Sequence, residues 1–210
     1  MTTTIRRRLS AVAIAGTLAL TLAACSDDAA PAGGESPSAA ETTAEQSADA
    51  AAHNDADVEF AQMMIVHHQG AIEMAELAVQ KASNEQVRAL GERISAAQGP
   101  EIELMTGWLE QWGEPTTPEA MDHGGMDHGG MDMEGMSQEE VMAELSALSG
   151  VDFDRRFLEL MTDHHRGAIE MAETQRAEGE NPEAVDLAGT IIDDQTMEIT
   201  EMENLLRELG

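Results

Sequence analysis

His67-His68 and His164-His165 stand 97 positions apart, in segments that can be laid over one another without a gap. Imidazole nitrogen is the commonest protein metal ligand. Methionines accompany each pair at helical spacing, Met64 and Met74 around the first and Met161 and Met171 around the second. Thioether and imidazole together form a soft donor set that suits Cu(I) and discriminates against Mg²⁺, Ca²⁺ and, largely, Zn²⁺. The spacing of Met64 to His68 places both donors on neighbouring turns of one helix face. A second concentration of the same groups lies at residues 121–136, MDHGGMDHGGMDMEGM. Its glycines leave the backbone free to wrap a small ion. Met121, His123, Met126, His128, Met131, Met133 and Met136 there can supply several sets of three or four donors. Cu(I) is the favoured cargo of the thioethers; Cu(II) would take the histidines and aspartates of this tract.

The elements that position these groups follow from an internal repeat. Residues 57–78 and 154–175 are identical at twelve of 22 positions. The match continues at the same offset into 84–113 and 181–210. Each copy reads as a helical hairpin (57–113 and 154–210), joined by a Met/His-rich linker over 114–150. Asn84 and Asn181 are N-cap residues, Pro182 suits a first helical turn, and Gly113 and Gly210 are helix ends. Ser137 with Glu140 forms a capping box for a short helix within the linker. Gly99-Pro100 interrupts the second helix, where proline removes a hydrogen bond, so a kink or break is expected between Ala96 and Pro100. Two hairpins pair their apolar faces into an all-α, antiparallel four-helix bundle with a pseudo-two-fold axis.

At about 100° per residue, Phe60, Met64, Ala71, Met74 and Ala78 fall within roughly 60° of His67, while His68 sits at the edge of that face. Phe157, Met161, Ala168 and Met171 stand likewise around His164, with His165 at the margin. On the second helices Gln98, Met105 and their repeats Gln195 and Met202 share the inner stripe, with Glu101 and Glu198 on its shoulder. Each hairpin is thus expected to turn histidine, methionine and a Glu/Gln pair inward. A packing explanation competes: an inward histidine bonded to Glu or Gln of the facing helix, with methionine as adaptable core filler.

Charge and the N-terminus narrow the setting. Arg6 to Arg8, an apolar stretch from Leu9 to Leu22 and Leu22-Ala23-Ala24-Cys25 make a signal peptide over residues 1–24. Cys25, the only cysteine, is placed for lipidation, so the protein is anchored to the extracytoplasmic face of a bacterial membrane without spanning it. Residues 25–54 read as a disordered tether before a domain over 55–210. Beyond Cys25, 8 basic residues face 41 acidic ones, a balance of −33 that repels nucleic acid and favours cations. A lone cysteine leaves no internal disulfide and no thiolate cluster.

The run Phe60…Met64-Ile65-Val66-His67-His68-Gln69-Gly70-Ala71-Ile72-Glu73-Met74-Ala75 resembles the signature of the domain-of-unknown-function 305 family. The second copy repeats it, and Gln98…Glu101-Ile102…Met105…Trp108-Leu109 is similar to the family's partner helix. The resemblance runs from Asp57 to Gly210 and implies a ferritin-like four-helix fold and extracytoplasmic copper binding linked to copper tolerance. Gly99-Pro100 departs from the pattern, beside Glu101. A ferritin-like di-metal oxidase would need Glu-x-x-His on two helices, and that spacing occurs nowhere in the chain. Nor is there a nucleophile elbow, a phosphate-binding glycine loop or a His-Glu-x-x-His motif. The expectation is a copper-sequestering or copper-chaperoning lipoprotein, not an enzyme, with a protein partner for copper transfer. A non-metal scaffold of the cell envelope is the alternative.

Overall fold

The computed structural model describes residues 52–118 and 135–210, and among them every regular element is helical. Helix α1 spans Asp55–Lys81, opened by a capping box between Asn54 and Asp57. Helix α2 spans Glu85–Trp112; the Asn84 side chain accepts from the Gln86 amide at its start, and Gly113 closes it in the left-handed conformation at φ 79°. Helix α3, Gln138–Ala147, begins with the capping box of Ser137 and Glu140. Helix α4 covers Gly150–Glu178, and α5 covers Pro182–Leu209 behind Asn181, whose side chain accepts from the Ala184 amide. The caps anticipated at 84, 137, 181 and 113 are therefore all in place.

Helices α1 and α2 pack as one antiparallel hairpin and α4 and α5 as the other; the hairpins meet mainly through α1 and α4. Gly91 lets α1 and α2 approach closely, since a Cβ there would lie 2.8 Å from the Ala75 carbonyl oxygen. The periodicity of the first helix holds: Phe60, Met64, Ala71, Met74 and Ala78 are buried. So are Phe157, Met161 and Ala168, whereas Met171 is only partly covered. No helix among the described residues is long and apolar enough to cross a membrane.

Two expectations need correction. Of the kink or break expected at Gly99-Pro100, the break does not occur: helix α2 is continuous through both residues. Pro100 faces solvent, and so does Ala96, whose carbonyl is the one deprived of a partner, so water can bond it and the helix need not end. The last residues assigned to the tether also belong to the domain. Asn54 Nδ2 donates to the Glu178 carbonyl at 2.8 Å, Asn181 Nδ2 donates to the Ala52 carbonyl at 2.9 Å, and His53 stacks on Trp112 with ring centroids 4.5 Å apart.

The repeats are clasped to one another by a buried aspartate from each. Asp57 accepts from Gln175 Nε2 at 2.5 Å and from the amides of Glu180 at 3.1 Å and Asn181 at 3.0 Å, all in the other hairpin. Its equivalent, Asp154, accepts from the amides of Ser83 and Asn84 at 2.9 Å each and from the Ser83 hydroxyl. Each carboxylate thus fills the helix-helix turn of the opposite copy. Neither was singled out from the sequence, although the repeat alignment pairs them.

Candidate metal centre

Four histidines occupy the middle of the bundle, two from α1 and two from α4, and all are buried. His67 and His164 come together where the repeats meet, with ring centroids 3.6 Å apart and planes inclined at 46°. That spacing is van der Waals contact, so no ion fits between the ring faces and a ligand would have to approach a ring edge. Burial, reinforced by His67, His165 and His68 nearby, holds the pKa of His164 well below the ordinary imidazole value. The ring is therefore neutral at pH 7, the form that ligates metals.

His68 and His165, expected at the margin of the apolar face, are fully buried. What permits this is a carboxylate on the second helix of each hairpin. His68 Nε2 lies 2.7 Å from Glu101 Oε2, and His165 Nε2 lies 2.6 Å from Glu198 Oε2. Gly99-Pro100 leaves the first of these contacts equivalent to the second. A carboxylate only accepts, so the imidazole donates through Nε2–H, and the neutral ring then keeps its lone pair on Nδ1. Nδ1 of His68, of His164 and of His165 is buried and has no hydrogen-bond partner in the protein. The Oε1 atoms of Gln98 and Gln195 share that condition on α2 and α5. Leaving such an atom unpaired costs about 1–3 kcal/mol. A histidine held by a carboxylate at one nitrogen with the other nitrogen available is the usual disposition of a metal-ligating imidazole.

The methionines do not divide as one set per hairpin. Met64 and Met105 share an apolar cluster with Met171, which the other repeat contributes. Met161 and Met202 share the second cluster with Met74. Each cluster thus mixes thioethers from both halves, and the second also takes Met136 and Met142 at its edge. Met202 Sδ also lies 3.8 Å from the Thr162 hydroxyl. Met136 is partly covered by the core and accepts from Arg156 Nη2 at 3.8 Å, so it is tied to the domain surface. Met121, His123, Met126, His128, Met131, Met133 and Cys25 lie outside the described residues. Among the described residues, no three His, Cys, Asp or Glu side chains are gathered into a potential metal cluster. A metal held there by more than two protein donors would have to draw on other groups, such as methionine sulfur or the glutamine Oε1 atoms.

A groove of about 370 Å³ leads to the His67–His164 pair. It is lined by Val66, Gln69, Gly70 and Glu73 of α1 and roofed by Ser137 and Gln138 at the start of α3. Gln138 was not anticipated as a site residue; it lies outside the duplicated segments and offered no internal comparison.

Residues 57–206 match the family described as Domain of unknown function (DUF305). Several solved structures are similar along most of the chain. A DUF305 protein of Streptomyces coelicolor, described as secreted, is 34% identical with a TM-score of 0.63, the match covering 74% of this chain and 94% of that one. A DUF305 fragment from Deinococcus radiodurans is 30% identical with a TM-score of 0.64, over 74% of this chain and 97% of that one. CopM in its Cu(I)-bound form is 33% identical with a TM-score of 0.59, over 72% and 96%. CopM is also known in Cu(II)-bound, silver-bound and apo forms. No curated protein matches the chain.

Proposed function

The chain belongs to the DUF305 family, and on that premise we propose that it is an extracytoplasmic copper-binding protein that takes up monovalent copper as cargo in its histidine core. The observation that carries this reading is the repeated arrangement of His68 with Glu101 and His165 with Glu198. Each ring is oriented by a carboxylate and keeps a buried, unpartnered Nδ1. Packing alone explains the carboxylate bond and leaves the second nitrogen stranded on both halves. A soft cation at Nδ1 would satisfy it, with Met64 or Met161 one helical turn away as sulfur donor. His67 and His164, at the end of the groove, would be the first nitrogens an incoming ion meets.

A donor set of a few imidazoles and thioethers suits Cu(I), which accepts low coordination. It lacks the oxygen cage of a Ca²⁺ site and the closed tetrahedral N/S set of structural zinc. The similarity to CopM, solved with Cu(I), Cu(II) and silver, supports the same choice of ion. The description of the Streptomyces relative as a secreted protein and the signal-like N-terminus support a location outside the cytoplasm. Acylation of Cys25 would hold the domain at the membrane, and residues 121–136 would add donors for Cu(I) and Cu(II) at its surface. The role is sequestration, or transfer to a protein partner, without catalysis.

An anaerobic Cu(I) competition titration against a chromophoric chelator, on the chain starting at Cys25, tests this. The His68→Ala/His165→Ala variant should lose tight equivalents while remaining helical. Deletion of 121–136 should remove further equivalents and leave those of the core. Affinity no better than that of free methionine, or titrations unchanged by these substitutions, would refute the proposal.

A further inference from the structure

We propose that Gln138 is a positioning residue that controls how fast a soft cation reaches the His67–His164 pair, by holding the first turn of α3 down over the groove. The inference rests on the reading above that the histidine core takes up monovalent copper.

Helix α3 is the one described helix without a counterpart in the repeat. Val141 and Leu145 bury its inner face in the core, and Lys81 Nζ donates to the Leu145 carbonyl at 3.2 Å and the Ser146 carbonyl at 2.5 Å near its end. The middle and end of α3 are therefore pinned by apolar packing and by a cation at its carbonyl end. Its beginning is held differently. Ser137 and Glu140 bond each other, which shapes the turn without tying it to the bundle. Besides Met136, which packs on the core and accepts from Arg156 just before the helix, the tie over the groove is Gln138, whose Nε2 donates to the Gly70 carbonyl at 3.1 Å and to Glu73 Oε2 at 3.1 Å. Gln138, Gly70 and Glu73 all line the groove that ends at His67 and His164.

Residue 70 is fitted to that contact. A Cβ there would stand 3.0 Å from Gln138 Oε1, so any larger residue would displace the amide. Glycine inside a helix is destabilising, and here its absent side chain makes room for the roof. The amide is anchored by two hydrogen bonds at the rim of a water-accessible groove. Bonds of that kind are individually modest, so the contact can open thermally and close again. Opening would expose the ring edges of His67 and His164 without disturbing the buried clusters of methionine.

The test separates rate from affinity on the full-length chain. Stopped-flow transfer of Cu(I) from a chromophoric chelator, repeated with Ag(I) as a redox-inert probe, is followed for wild type, Gln138→Ala and Gln138→Glu. Loss of the two bonds should speed both uptake and release by about tenfold, with the equilibrium constant changed less than about threefold. Glu73→Ala, which removes one bond, should give a smaller acceleration. A merely structural role for Gln138 would weaken binding without raising both rates together. The second readout needs no metal: diethylpyrocarbonate modification of His67 and His164, mapped by peptide mass spectrometry, should quicken in Gln138→Ala. Faster modification in a protein that binds no Cu(I) would uphold the access role and overturn the copper reading. Tight Cu(I) binding with unchanged transfer and modification rates in a folded Gln138→Ala would overturn the access role and leave the copper reading standing.

Discussion

Substituting Asp57 by alanine removes the acceptor for four donors at once: the Asn54, Glu180 and Asn181 amides and the Gln175 side chain. Two of these, Asn181 N and Gln175 Nε2, belong to buried residues and cannot turn to water. At about 1–3 kcal/mol for each stranded buried donor, the loss of stability comes to about 2–6 kcal/mol. Asp154→Ala is the internal control. Its donors are the Ser83 amide and hydroxyl and the Asn84 amide; Ser83 is exposed and Asn84 half-buried, so water can replace the carboxylate. Its loss should be about 1–2 kcal/mol, nearer the net value of ordinary hydrogen bonds. Urea denaturation followed by far-UV circular dichroism at neutral pH gives both numbers, provided the slopes match wild type. If Asp154→Ala is as damaging as Asp57→Ala, or Asp57→Ala costs less than about 1 kcal/mol, the cross-repeat clasp does not hold the hairpins as described.

The depressed pKa of His164 sets a pH dependence for the metal-free protein. The unfolded chain takes up a proton below about 6.5 that the folded ring refuses, so the contribution is full above that pH and is lost as pH falls below it, by at most about 1.4 kcal/mol per pH unit; denaturation midpoints across that range, with His164→Leu as comparison, should lose the slope in the variant. Gly91→Ala should destabilise by about 1–3 kcal/mol, because the new methyl meets a backbone oxygen that cannot move aside. Gly189→Ala, where nothing lies within 4 Å of the added carbon, should stabilise by about 0.5–1 kcal/mol; thermal melts of the pair should shift in opposite directions. Pro100→Ala should raise stability, by up to about 3 kcal/mol, since it restores a hydrogen bond to an already continuous helix; a lowered melting temperature would contradict that account.

Much of the fold was legible because its signals are local. Asn84, Asn181, Gly113 and the Ser137–Glu140 box act within a few residues of themselves, and the 3.6-residue period around His67 reports one helix face. Pro100 misled because proline's effect depends on which way the residue points, and a solvent-facing Ala96 carbonyl tolerates the loss. The site was legible in composition but not in pairing. His68 looked marginal from α1 alone; the Glu101 carboxylate that permits its burial comes from α2. Met74 and Met171 each pack with methionines of the opposite copy, a long-range exchange that helical angles within one segment do not reveal. Asp57 and Asp154 were matched in the repeat, yet a carboxylate near a helix start reads as an ordinary cap until the facing turn is seen.

The contact of His67 with His164 across the seam has a consequence for how the protein behaves when scarce. Two imidazoles contributed by separate polypeptides would meet only after association, and each tenfold dilution would weaken the ensemble by about 1.4 kcal/mol. With both copies encoded in one chain, molecularity drops out: the seam closes at any concentration, and the histidine pair forms however little protein is present.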